Sequence, residues 1–293
     1  MDGKSIICFL TVNPGKLFYH FVKQIPNPER IYICIDRNNH EIPGYDGEIK
    51  LIKINGEECV KNGFHSTLMS LGTNWVRKAG SRDKALYYFG TRDIDFNHIW
   101  FIEDDVFIPT TTTIDYLDNK YPRGDLLCAE NSVVNTQSDI EKSDWSMWSS
   151  GYTTKIKYPL PWGSSMICAI RCSKRLLDCI QNYAKNHGGL FLDEIFFNTV
   201  ALHNNLTILP IDELSGVVWR QKLKKHDNPP VGTFGGGSLK PTHLYHPVKS
   251  ISEQYKLRIP GTKDPKALNW IMILCIISGI SLVTVSLILY ISN

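Results

Sequence analysis

Apolar positions in this chain fall in short runs of β-branched and aromatic residues, separated by polar segments of helical periodicity. Residues 5–13 (SIICFLTVN) are almost continuously apolar and stop at Asn13-Pro14-Gly15. Residues 30–36 (RIYICID) form a second run with Asp36 just past it, and 49–54 (IKLIKI) alternate with period two. Further strands are predicted over 99–102, 125–129 (DLLCA) and 206–210. Helices are predicted over 17–24, 62–90, 115–120 and 173–186, the last capped by Ser173. Another is predicted within 190–205, headed by Asp193-Glu194. Strands apolar on both faces, alternating with helices, indicate an α/β fold with a mostly parallel central sheet covered on both sides. No internal repeat is present.

The most informative stretch is 98–109 (HIWFIEDDVFIP). Four apolar residues lead directly into Glu103, Asp104 and Asp105. A strand interior does not hold consecutive unpaired acids, because burying such charges is very costly. The acids therefore belong where the strand emerges at the sheet edge, where carboxylates can share a divalent cation. The alternative is a solvated acidic turn.

Composition narrows the function classes. Net charge is +3 from 32 basic and 29 acidic residues, with no dense basic run, so nucleic acid is not an expected partner. The eight cysteines are scattered without zinc-site spacing and read as buried reduced thiols. Residues 270–291 contain no charge, enough for a helix of about 33 Å. The expected organisation is a catalytic domain over 1–249, a juxtamembrane linker over 250–267 and a transmembrane helix over 268–291. Lys263 and Lys266 on its N-terminal side predict a single-pass tail anchor with the main domain cytosolic, at a host membrane if the chain is viral.

Other candidates each carry two readings. Arg77, Lys78 and Arg82 either form a solvated helix face or reach a ligand phosphate. Trp148 and Trp162 either stack on a sugar or pack the core. Asp193 and Glu194 either complement a helix dipole or supply a catalytic base. His243 and His246 are structural unless a metal lies nearby. The segment 227–242, with Pro229-Pro230 and Gly235-Gly236-Gly237, is either a loop closing over ligand or a linker; it is not a P-loop.

Taken together, residues 5–249 resemble the GT-A-type glycosyltransferases, the nucleotide-diphospho-sugar transferase fold. The anchor is the apolar strand ending in Glu103-Asp104-Asp105, which is similar to that fold's D-x-D metal motif in an E-D-D form. The resemblance implies that Asp105 is the direct ligand of a divalent cation, Mn²⁺ or Mg²⁺. It implies that Glu103 and Asp104 orient water, ribose or donor sugar. The segment Leu192-Asp193-Glu194-Ile195-Phe196-Phe197 resembles the acidic segment that holds the acceptor hydroxyl, and His243 or His246 the histidine that completes the metal site. Asn13 and Asp36 fall where the first two strands of such a fold meet the nucleotide. The C-terminal anchor departs from the N-terminal anchor usual for secretory-pathway members.

The expected reaction is transfer of a sugar from a nucleotide-diphosphate donor to a glycan, protein or lipid acceptor, with Trp148 and Trp162 as acceptor contacts. A cation at Asp105 would neutralise the leaving diphosphate, assisted by Arg77, Lys78 or Arg82. An inverting transfer requires a base, with Asp193 first and Glu194 second; a retaining one does not. The competing readings are a sugar nucleotidyltransferase, for which Asn13-Pro14-Gly15-Lys16 is a thin match, and a catalytically silent, membrane-tethered binding protein.

Overall fold

The computed structural model describes residues 5–71, 74–148, 153–218, 233–234 and 237–258. Strands β1 (Ser5–Thr11), β2 (Ile31–Ile35) and β3 (Lys50–Ile52) open the chain with helices α1 (Lys16–Lys23) and α2 (Gly56–Lys61). A hairpin of β4 (Thr67–Leu71) and β5 (Asn74–Lys78) precedes α3 (Ser81–Thr91), β6 (His98–Glu103) and α4 (Thr113–Lys120). Next come β7 (Leu126–Cys128), β8 (Ser132–Val134), α5 (Gln137–Lys142), β9 (Trp162–Ser164) and β10 (Ala169–Ser173). Helices α6 (Lys174–His187) and α7 (Asp193–His203) lead to β11 (Ile208–Pro210) and β12 (Gly216–Val217). The described chain closes with β13 (Thr233–Phe234), β14 (Gly237–Ser238), β15 (Tyr245–His246) and α8 (Ile251–Arg258).

Seven strands form the central sheet in the order β11-β7-β10-β6-β1-β2-β3. All pairings are parallel except those of β10, which runs antiparallel between β6 and β7. Period-two alternation sends the two faces of β1 into different cores. Ile6, Cys8 and Leu10 join one apolar cluster with residues of α3, α6 and α7. Ile7 and Phe9 join the other, with residues of α1 and α4. In β6, Ile99 and Phe101 face the first cluster and Trp100 and Ile102 the second. All four are fully buried, which stabilises the sheet by about 1.5–3 kcal/mol per large side chain. Because β1 has β2 on one side and β6 on the other, the chain changes direction at β1. In open α/β sheets that leaves a crevice at the carboxyl ends of the two strands.

The predicted helix over 173–186 forms as α6. The Ser173 side chain accepts from the Leu176 amide at 3.1 Å, and Gly188 follows in the left-handed region at φ 64°. The helix expected across 62–90 is different. Its first half is the β4–β5 hairpin, where Thr67, Trp75 and Val76 favour a pleated surface, and only its second half is helical.

Two expectations about the C-terminal region need correction. Residues 251–258, read as linker, form α8, which packs along α1 with Arg258 over the Phe21 ring at 3.4 Å. No helix among the described residues is long and apolar enough to cross a membrane, and residues 268–291 lie outside the described residues. The fold class is thus an α/β domain without a shown transmembrane helix. The membrane-anchored, cytosol-facing location that depended on that helix is withdrawn.

Candidate active site

The carboxyl ends of β1, β2 and β6 converge. Leu10 pairs with Glu103, the Asp104 amide donates to Leu10 O at 3.1 Å, and the Asp36 amide donates to Thr11 O at 2.9 Å. These contacts hold the acidic turn and Asp36 at one edge of the sheet. There a cavity of about 320 Å³ is lined by Thr11, Asp36, Arg82, Glu103, Asp104, Asp105, Asp193 and Lys249, among others. A second cavity, about 620 Å³, shares Asp36 and is lined further by Asn38, Asn55, Gly56, Lys61 and Lys84. Another of about 630 Å³ includes Ser5, Tyr32 and Lys50, at the opposite, amino-terminal ends of the strands, and lies away from the acidic turn.

Each acid of the turn has a different environment. Glu103 accepts from Arg82 Nη2 at 2.6 Å. Asp104 accepts from the Thr11 hydroxyl; burial pushes its carboxyl up, and that hydrogen bond only partly offsets the effect. Asp105 is 6% exposed. Burial alone would raise its carboxyl, but His246 and Lys249 outweigh that and bring it down to about 2. Lys249 Nζ is paired with Asp105 Oδ2, and His246 Nε2 lies 3.4 Å from Asp105 Oδ1. His246 Nδ1 lies 2.9 Å from Val218 O, which fixes the ring with Nε2 toward Asp105.

Arg82 is 7% exposed and ties the turn to α7, its Nη1 reaching Asp193 Oδ2 at 3.3 Å and its Nη2 Ile167 O at 3.2 Å. Burial works against its charge, but Glu103 and Asp193 outweigh it and hold the guanidinium above its ordinary value. Glu194, beside Asp193, is pushed up to about 7 by burial and then by the Asp193 charge. Asp83 is buried just behind Arg82. Its two carboxylate oxygens accept from the amides of Ser66 and Gly80, each at 3.0 Å, and burial followed by Asp193 raises it to about 8.

A divalent cation fits these residues. Asp105 Oδ1 is buried without a hydrogen-bond donor, although it belongs to a carboxylate held ionised. An acceptor oxygen in that state, facing an imidazole whose other nitrogen is engaged, is the kind of donor pair a hard or borderline cation takes. The Asp193 Oδ1 atom is likewise buried without a hydrogen-bond donor.

Several predicted residues are not brought to this site. His243 pairs with Asp212 at 3.2 Å and Thr242 at 3.0 Å instead of the acidic turn. An extended chain turns residues 243 and 246 to opposite sides. Trp148 is 3% exposed and belongs to the core, so its faces are not open to a sugar. Trp162 is half-buried against the same core and donates from Nε1 to Tyr158 O at 2.9 Å. Asn13 is exposed and does not line the cavity. Of the three predicted cations Arg82 lines the cavity; Arg77 and Lys78 lie on β5, and their side chains fall outside what the structure describes. Thr11, Asp83 and Lys249 had no role in the sequence reading. Lys249, three residues after His246 and beyond a proline, was the one with a legible signal.

No protein-family model and no curated protein sequence matches the chain. Solved structures do resemble it, two of LgtC among them. One is a crystal structure of the galactosyltransferase LgtC in complex with donor and acceptor sugar analogs. The other is an active-site mutant of LgtC. Each covers 91% of this chain and 99% of its own, at 10% identity and a TM-score of 0.42. Both are glycosyltransferases, the class to which the sequence resemblance points. A likeness at this score carries no argument about substrate or chemistry, which rest on the site itself.

Proposed function

We infer that the chain is a glycosyltransferase that moves a sugar from a nucleotide-diphosphate donor to an acceptor hydroxyl, with residues 1–249 plus α8 as its working domain. The observation that carries this reading is the single cavity lined by Asp36, Arg82, Asp104, Asp105, Asp193 and Lys249 at the strand ends. It combines anionic ligands for a cation, two cations for an anion, and a carboxylate oxygen with no donor.

In this reading Asp105 and His246 hold the divalent cation. When bound, the cation supplies Lewis-acid neutralisation of charge on the leaving diphosphate. Lys249 contributes a second positive charge on the same side, and Arg82, fixed by Glu103 and Asp193, contributes a third that needs no reorganisation. The nucleoside extends from the acidic turn past Asp36 into the neighbouring cavity, whose asparagine side chains offer donors and acceptors for a base and ribose. Glu103, engaged by Arg82, keeps that guanidinium in place. Asp193 Oδ1 is the first-choice base for an inverting transfer, because it faces no donor while Oδ2 is held by Arg82. The acceptor remains to be drawn from glycans, proteins and lipids.

The test is a thermal-shift screen of the protein against nucleotide sugars, with and without Mn²⁺. A ligand that binds only the folded state raises its stability by mass action. Stabilisation by one donor that requires the cation, and is lost in Asp105→Asn, supports the reading and names the donor. Stabilisation by the same donor without cation and in that variant removes the metal role.

A further inference from the structure

Cys168 is the residue before β10, and the sequence alone gives it no role beyond a buried thiol. The register of β10 against β6 changes that. Ala169 pairs with Ile102, and the Glu103 amide donates to Cys168 O at 2.8 Å, so the thiol emerges beside the first acid of the turn. The sulfur of Cys168, a carboxylate oxygen of Glu103 and an imidazole nitrogen of His246 all lie within 4.8 Å of one another. Cys168 is 6% exposed and His246 4%. Donors around a zinc-sized ion sit at about 2.0–2.3 Å from it, hence about 3.3–3.8 Å apart. Side-chain shifts on the order of 1 Å would close these three onto one ion.

This donor set differs in kind from the oxygen-rich one used for transfer. A thiol adds little for Mg²⁺ but strongly favours zinc, cadmium or cobalt, and a nearby imidazole reinforces the preference. A fourth donor stands by, since Asp105 Oδ1 is buried without a hydrogen-bond donor and faces His246. We propose that Glu103, Cys168 and His246 form a thiophilic metal site of the zinc class, and that its occupation opposes sugar transfer. On binding, the Cys168 sulfhydryl gives its proton to solvent and its sulfur forms the new bond to the ion; nothing is oxidised or reduced. The same event takes Glu103 from Arg82 and occupies His246, which the proposed function assigns to the transfer cation. Binding rests on the geometry alone, whereas the opposition to transfer rests on the function proposed above.

The test uses Cd²⁺ with the full chain carrying C179S and C275S. Among the described residues this leaves Cys168 and cysteines that are fully buried in the core. The expected result is an ultraviolet sulfur-to-cadmium charge-transfer band that saturates at one equivalent and is reversed by Zn²⁺. The band should be lost in C168S and, as a second variant, in C168A, with unchanged circular dichroism. Cd²⁺ affinity should fall at least tenfold in H246A. Absence of the band in the folded parent, or its persistence in both Cys168 variants, overturns the site. Donor stabilisation with Mn²⁺ is measured on the same parent. A band without donor stabilisation keeps the metal site and removes the transferase reading. Both together, with Zn²⁺ abolishing donor stabilisation in the parent but not in C168S, support the opposition; equal loss in both removes it.

Discussion

His246 Nε2 stands 3.4 Å from Asp105 Oδ1, joining the last short strand of the domain to the turn that follows β6. With Lys249 it brings the Asp105 carboxyl from an ordinary 3.8 to about 2 in spite of burial. A group whose folded value is depressed stabilises the fold fully above its unfolded value and loses that contribution as pH falls through the folded one. Asp105→Asn should therefore cost about 2 kcal/mol above pH ~4, and the difference from the parent should shrink to nothing near pH ~2. Urea titrations across that range check it; a difference that does not vary with pH would contradict the ion pairing.

Arg82 stands between Glu103 and Asp193 and donates to both. Arg82→Ala leaves Glu103 and Asp193 facing each other in a largely buried space without a counter-charge. Breaking a buried pair in this way costs about 3–5 kcal/mol, with the lower end expected here because Glu103 is a third exposed. Arg82→Lys should recover part of that loss but not the forked contact to both acids. Denaturant midpoints of the two variants measure both effects.

Glu194 predicts a pH dependence of the opposite sign. Its folded value is about 7 against an ordinary 4.5, so the native state binds the proton more tightly than the unfolded chain does. Its contribution is greatest below about pH 4.5 and declines as pH rises to about 7. Glu194→Gln should flatten that decline. Stability profiles of the variant and parent that run parallel over this interval would show that Glu194 is not the titrating group.

Asp83 fastens both ends of the β4–β5 hairpin through the amides of Ser66 and Gly80. Asp83→Ala removes the acceptor of two partly buried donors, at a cost of about 1 kcal/mol, the lower end of the range for unsatisfied groups. Hydrogen exchange at Ser66 and Gly80 should accelerate more than at β1 or β6. Uniform acceleration across the sheet would mean that the carboxyl supports the whole domain and not this hairpin.

Much of this arrangement was legible from residue pattern. The runs at 5–13, 30–36 and 99–102 became β1, β2 and β6 because strands apolar on both faces have no other place than a covered sheet. Acids placed directly after such a run had to lie at its exit. Insertion of β10 antiparallel between β6 and β7 was not legible, since alternation along one strand does not name its neighbours. That insertion alone brings Cys168 beside Glu103. The difference between His243 and His246 was equally hidden, because it depends on which side of a short strand faces the turn. Trp148 and Trp162 illustrate a third limit: composition identifies an aromatic-rich segment but not whether its rings are covered.

Residues 104–108, tied to β1 at Asp104, are otherwise fastened by a segment far along the chain. The Val248 amide donates to Asp105 O, Gln254 Nε2 to Asp104 O, and Arg258 Nε to Ile108 O. Contacts between such distant positions carry a loop-closure cost and are among the slower ones to form. During synthesis the sheet strands from β1 to β10 all leave the ribosome before this fastening segment exists. A nascent chain can thus possess most of its hydrophobic interior while its acidic turn still lacks these three contacts. Competence for chemistry would be acquired as a late step in maturation, separable in time from the collapse that protects the chain from aggregation.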